Sequence, residues 1–195
     1  MIKYIYPTTI AQNDADNSEL PIIQGEIDRA CKELIFTNEP WHPGHLQVSD
    51  TNGNSNIIKE YNMPYLTRYI NTCMNEYTQH VMGHFMKFDI CQSWITKTSE
   101  GQVAASHNHG QFDIAGVYYY KTNMKDGAIK FSNPCSGAQA SRAWMQIHDV
   151  RIQPKVGTLI LFPAWLDHSV DLNNTKDDRM SMAFNINIDR PIYNN

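Results

Sequence analysis

The chain has 195 residues, 42% of them hydrophobic and 18% charged, the length and composition of a single domain able to bury its own core. Its formal net charge of -4 excludes charge-driven nucleic acid binding, which needs clustered Lys and Arg. No apolar run approaches the roughly 20 residues that span a bilayer, and Met1 to Ile10 lacks the apolar core of a secretory leader, so a cytoplasmic protein without membrane contact is expected, with a homodimer left open.

In chain order, Ile2 to Ile5 is strand-like and the polar stretch Asn13 to Glu19 reads as a loop. Leu20, Ile23, Ile27, Ala30, Cys31 and Leu34 then recur at three- and four-residue steps, which predicts an amphipathic helix capped by Ser18 or Asn17 with Pro21 in its first turn. After the loop Thr51 to Asn56, a second helix is marked by Met63, Leu66, Ile70, Cys73, Tyr77 and Val81, with Asn62 and Pro64 at its start. From Phe88 the pattern changes to short β-branched and aromatic runs: Phe88 to Thr96, Val103 to His109, Asp113 to Lys121, Ala128 to Phe131, Val150 to Gln153, Thr158 to Phe162 and Met180 to Ile188. Helices followed by strands predict an α+β chain, mainly β: one domain over 1–195, helical to about residue 87 and a β sandwich or barrel over about 88–190. The cysteines Cys31, Cys73, Cys91 and Cys135 form no CxxC pair and read as buried reduced thiols.

Chemistry concentrates in the β part. Residues two apart on a strand share a face, so His107 and His109, at the end of the run Val103 to His109, would point the same way. His168 follows the apolar strand Thr158 to Phe162 on a turn between two strands. Two histidines from one strand and a third from a distant segment would occupy one face of a metal and leave open positions, the arrangement of a catalytic site. Eleven residues later, Arg179 and Ser181 share a face of the last strand, and a guanidinium beside a hydroxyl is suited to grip a carboxylate. The competing histidines carry less. His80 and His84 lie four apart on the second helix without the glutamate of HExxH. His42 and His45 fall in a Pro/Gly turn, and His148 has no partner nearby in sequence. No GxSxG elbow, P-loop or GxGxxG is present.

The order of parts is similar to a known family. Trp94-Ile95, Gly101, His107-x-His109, Gly116-Val117-Tyr118-Tyr119, the Gly-led strand Gly127 to Phe131, Pro154-x2-Gly157-Thr158-Leu159-Ile160-Leu161-Phe162-Pro163, His168-x-Val170 and Arg179-Met180-Ser181 resemble the 2-oxoglutarate/Fe(II) oxygenases related to prolyl hydroxylases, including those of bacteriophages and marine bacteria. The resemblance spans roughly residues 89 to 188. It implies a double-stranded β-helix (a cupin-like jelly roll) buttressed by the two N-terminal helices, with Fe(II), 2-oxoglutarate and O2 as reactants. It further implies hydroxylation of an unidentified substrate, a protein residue or a small molecule, with release of succinate and CO2. His107 and His168 would be iron ligands, with Arg179 and Ser181 on the distal carboxylate of 2-oxoglutarate and Tyr119 a weaker contact. An apolar pocket lined by Trp94, Tyr119, Phe162 and Trp165 is expected. His109 stands where the wider superfamily has a carboxylate (HxD...H), as in the narrower HxH group that the chain resembles. Asp113 is the alternative ligand should the strand bulge. A cupin-like metal protein without 2-oxoglutarate, or without turnover, is the alternative reading.

Overall fold

The computed structural model describes residues 7–38, 44–50, 54–135 and 149–189. Strand β1 (Ala11–Asp14) precedes helix α1 (Leu20–Cys31), the two-residue strands β2 (Thr37–Asn38) and β3 (Gln47–Val48), the single turn α2 (Ile57–Glu60) and the long helix α3 (Pro64–Met82). Eight further strands follow: β4 (Phe88–Thr98), β5 (Ala104–His107), β6 (Ile114–Lys121), β7 (Ile129–Ser132), β8 (Asp149–Ile152), β9 (Thr158–Pro163), β10 (His168–Val170) and β11 (Arg179–Ile188). They make two sheets, a larger one ordered β1-β9-β6-β11-β4-β3-β2 and a smaller one ordered β5-β10-β7-β8, with antiparallel pairing throughout. This is the jelly roll that the strand pattern and the resemblance imply.

Alternation along each strand decides what it faces. In β9, Leu159 and Leu161 join a core with α1 and α3, while Ile160 and Phe162 join a second core between the sheets. Both faces of β9 are therefore covered, which is why its sequence is an unbroken apolar run rather than an alternating one. In β11, Met182, Phe184 and Ile186 turn to the helices, and Arg179, Ser181, Ala183 and Asn185 turn to the inter-sheet cavity. The two long helices thus lie on the outer face of the larger sheet and leave its inner face to the site.

Helix starts and ends differ from expectation in instructive ways. Neither Ser18 nor Asn17 caps α1, whose N-cap is Glu19 without a side-chain bond; the Ser18 amide and hydroxyl donate instead to Asp16. The helix closes at Cys31, and Leu34 packs against the core from the following turn. Helix α3 begins at Pro64, and its first amides are satisfied from afar: the buried Glu26 of α1 accepts from Tyr65 and Leu66 N–H at 3.0 and 2.9 Å. A carboxylate on free helix-start amides docks one helix onto the other. Asn13 and Asp14, expected in a loop, pair with Leu159 and Thr158 as the edge strand β1. Of the cysteines only Cys73 is buried, Cys31 and Cys91 are half-buried and Cys135 is exposed. The strand-like Ile2 to Ile5, His42 and His148 lie outside the described residues. Among the described residues no helix is long and apolar enough to cross a membrane.

Candidate metal centre

Strand β5 stops at His107 because the chain turns there. Asn108 sends its Nδ2 to Asp167 Oδ1 at 2.7 Å and accepts the Gly110 amide at 3.2 Å, and the His109 amide donates to Ala164 O. His109 is therefore past the strand end, and it does not meet His107 through strand alternation as the spacing predicted. The pair that shares a strand face is His107 with His168, direct partners across β5 and β10, with ring centroids 4.3 Å apart. His168 likewise opens a strand rather than sitting on a turn. His109 folds back to them from the turn, its ring 5.2 Å from each of the other two. One ring nitrogen from each residue lies within 4.8 Å of those of the other two.

The orientation of two rings is fixed by backbone. Nδ1 of His107 is 2.8 Å from Ala105 O, and Nδ1 of His168 is 2.9 Å from Leu166 O. A carbonyl can only accept, so each Nδ1 carries the proton and each Nε2 keeps its lone pair for an acceptor such as a metal ion. Burial, followed by the neighbouring His168 and His107, pushes His109 down to about 3. Burial and His107 push His168 down to about 4. Both imidazoles are neutral near pH 7, the form that ligates. Trp94 lies against His109, with centroids 5.8 Å apart, and Phe162 meets His168 edge-on at 4.7 Å. Asp113 is engaged elsewhere: its Oδ2 accepts the Ile188 amide at 2.9 Å, and it is not among the converging groups. His80 and His84 do not share a helical face, because α3 ends at Gly83.

The three histidines line a cavity of about 720 Å³ that also contains Arg179, Ser181 and Tyr119. Arg179 is 1% exposed, and both of its partners are neutral: Nη1 donates to Gly127 O at 3.0 Å and Nη2 to Thr98 Oγ1 at 3.3 Å. Its buried Nε has no partner. Burial lowers its pKa, opposed by Tyr119 and by Asp126 and Asp171 at longer range. Among the described residues no carboxylate hydrogen-bonds this buried guanidinium, an arrangement that costs the fold. Ser181 holds Thr96 at 2.7 Å between hydroxyls, and the Tyr119 ring stands 6.0 Å from the guanidinium carbon. Burial raises Tyr119 to about 12, so its phenol stays protonated. Trp94 and Phe162 line the cavity as expected, whereas Trp165 is 52% exposed on the turn after β9 and does not. Thr98 and Gly127, which hold Arg179, carry no signal in sequence beyond the glycine that leads β7.

Residues 92–185 match a family model described as "Putative 2OG-Fe(II) oxygenase". No curated protein matches the chain by sequence. Among solved structures, the chain is similar to the non-heme α-ketoglutarate-dependent epimerase SnoN of nogalamycin biosynthesis, at 12% identity and TM-score 0.64 over 92% of this chain and 77% of that one. It is also similar to HygX from Streptomyces hygroscopicus with nickel, 2-oxoglutarate and hygromycin B bound, at 12% identity, TM-score 0.59, and 95% and 84% coverage. A third is a Pseudomonas putida prolyl-4-hydroxylase, at 13% identity, TM-score 0.59, and 94% of each chain. At these identities the structures share the fold.

Proposed function

We propose that the protein, whose residues 92–185 match the 2OG-Fe(II) oxygenase family model, is an Fe(II)- and 2-oxoglutarate-dependent oxygenase acting on an unidentified substrate, with His107, His109 and His168 as the iron ligands. Arg179 and Ser181, with Tyr119 beside them, hold the distal carboxylate of 2-oxoglutarate. The observation that carries this reading is the pairing, in one cavity, of three converging imidazoles with a buried arginine whose Nε is unpaired.

When bound, iron and 2-oxoglutarate supply O2 activation coupled to decarboxylation, leaving succinate and CO2. The chain's own residues do the rest. The carbonyls of Ala105 and Leu166 fix the tautomers of His107 and His168. Arg179 orients the cosubstrate by charge-assisted hydrogen bonds through the edge that Gly127 and Thr98 leave open. Trp94, Phe162 and Ile129 exclude water from the walls around the imidazoles. With a neutral His109 in place of a carboxylate, the ligand set contributes no negative charge, so the anionic cosubstrate supplies what partly balances a divalent ion.

The test is an anaerobic titration of metal-free protein with Fe(II) and then 2-oxoglutarate. One equivalent of each binds, and a weak visible charge-transfer band appears only when both are present. Admission of O2 then yields succinate in step with 2-oxoglutarate consumed. Iron binding with neither band nor succinate would establish the cosubstrate-free, cupin-like alternative instead.

Gly127 gives a second check on the clamp. It has φ +100°, and a Cβ there would lie 2.3 Å from Asp171 O, so any side chain displaces the loop whose carbonyl accepts Arg179 Nη1. Loss of one such bond is worth about 1 kcal/mol. Gly127→Ala is therefore expected to raise the 2-oxoglutarate dissociation constant roughly fivefold, measured by calorimetry alongside a thermal melt. An unchanged constant in a folded variant would remove Gly127 from the clamp.

A further inference from the structure

The inner file of β11 pairs with β4 in four steps, Arg179 with Thr98, Ser181 with Thr96, Ala183 with Trp94, and Asn185 with Gln92, and all of these but Thr98 line the cavity. The first two steps form the carboxylate clamp. The third adjoins the metal centre, since Trp94 lies against His109. The fourth continues past it, on the side away from the clamp. At about 3.3 Å per residue, Asn185 lies roughly 20 Å along the strand from Arg179, much farther than a five-carbon dicarboxylate reaches.

Asn185 is 2% exposed and lines the cavity. Its Nδ2 donates to Gln92 Oε1 at 3.0 Å, and its Oδ1 has no partner. An unpaired buried carbonyl oxygen is a cost to the fold unless something in the cavity donates to it. Among the described residues that line this cavity Arg179 is the sole Lys or Arg, and the clamp uses it. At the neighbouring step the wall is apolar, with Trp94 and Val117 on either side of Ala183.

Resting on the oxygenase reading, we infer that Asn185 is a specificity-determining residue and that the primary substrate is a neutral, amide-bearing molecule that donates an N–H to Asn185 Oδ1 while its apolar body packs on Trp94. An amide carries a donor and an acceptor together, so it satisfies the free end of Asn185 whichever way that carboxamide is turned. Specificity arises because an isostere lacking the N–H leaves Oδ1 buried and unpaired, and an anion meets the oxygen with like charge.

The test uses protein loaded with Zn(II) and saturating 2-oxoglutarate, so that Arg179 is occupied, and probes of one size: benzamide, toluene, benzoate and benzamidinium. Binding is followed by NMR titration of the assigned Trp94 indole N–H, which lines the same cavity and is present in the wild type and in every variant. Failure of 2-oxoglutarate to bind in the loading step would sink the oxygenase reading, and only after that step succeeds do the probes address Asn185. Benzamide is expected to bind at least about fivefold more tightly than toluene or benzoate, one neutral hydrogen bond being worth roughly that factor. Asn185→Leu should abolish the benzamide preference. Asn185→Asp should reverse it toward benzamidinium, a gain of affinity that misfolding cannot mimic. Equal binding of benzamide and toluene to the wild type, or an Asp variant that keeps the wild-type order, overturns the inference.

Discussion

A His107→Ala, His168→Ala double variant is expected to lose stoichiometric Fe(II) binding, with affinity down by at least about a hundredfold, the upper end of what removing groups that merely support metal ligands costs. The two residues are cross-strand partners in β5 and β10, each with Nδ1 tied to a carbonyl two residues upstream in its own strand or turn. Their lone pairs are thus aimed before the ion arrives, and the binding free energy is not spent on ordering side chains. Removing both leaves only His109, whose ring is positioned by Trp94 and by the turn amide bonded to Ala164 O. One imidazole cannot hold a divalent ion against water. Iron content after dialysis and a metal titration of the apo-protein measure the effect, and the thermal melt of the apo variant shows whether the fold is retained. Retained one-to-one binding would move the metal site elsewhere. His109→Ala separates the third ligand from the first two: full affinity there would leave the position to water, because Asp113 is held by the Ile188 amide.

The site was more legible in the sequence than the geometry that makes it. The residues His107, His109 and His168 stand out through the HxH spacing, the third histidine from a distant segment and the order of motifs around them, but the reason given by alternation, a shared face at i and i+2, does not hold for His109. Alternation requires the strand to continue, and Asn108 ends it by bonding Asp167 and its own turn. The partnership of His107 with His168 is a register between strands 61 residues apart, and register is set by long-range packing that no local pattern encodes. Arg179 and Ser181 were legible for the opposite reason: β11 is regular, so period two predicts their common face. The same alternation places Asn185 in the cavity, but an asparagine in a strand looks like surface until its neighbours are known. Strand β1 was missed because Gln12, Asn13 and Asp14 have low strand propensity. Edge pairing with β9 and bonds from Thr158 and Lys155 to Asp14 override that preference. Trp165 was misplaced because composition marks it as a wall residue, while the turn Ala164 to Leu166 points it to solvent.

Arg179→Ala is expected to raise the 2-oxoglutarate dissociation constant at least about thirtyfold, while iron binding by the apo-protein stays close to wild type. The argument rests on where the charge sits. Arg179 is 1% exposed, its two partners are a carbonyl and a hydroxyl, and Nε is unpaired, so the buried cation has neutral contacts and, among the described residues, no carboxylate at ion-pair distance. Burial alone disfavours the charged form. A cosubstrate carboxylate reverses that balance with two charge-assisted hydrogen bonds in a cavity shielded from water, a contribution of about 2 to 5 kcal/mol. The lower end of that range corresponds to about the thirtyfold change. Arg179→Lys keeps the charge but loses the planar fork, so it cannot keep the contacts to Gly127 O and Thr98 Oγ1 and also present two parallel donors to a carboxylate. Partial recovery, closer to Ala than to wild type, is the expected result. Competition calorimetry with succinate in place of 2-oxoglutarate isolates this contact, since succinate also presents a distal carboxylate but has no keto oxygen for the metal. Arg179→Ala should weaken both ligands by a similar factor. Were 2-oxoglutarate binding unchanged in the Ala variant, the cosubstrate would not reach Arg179, and the cavity would belong to a metal protein of another chemistry.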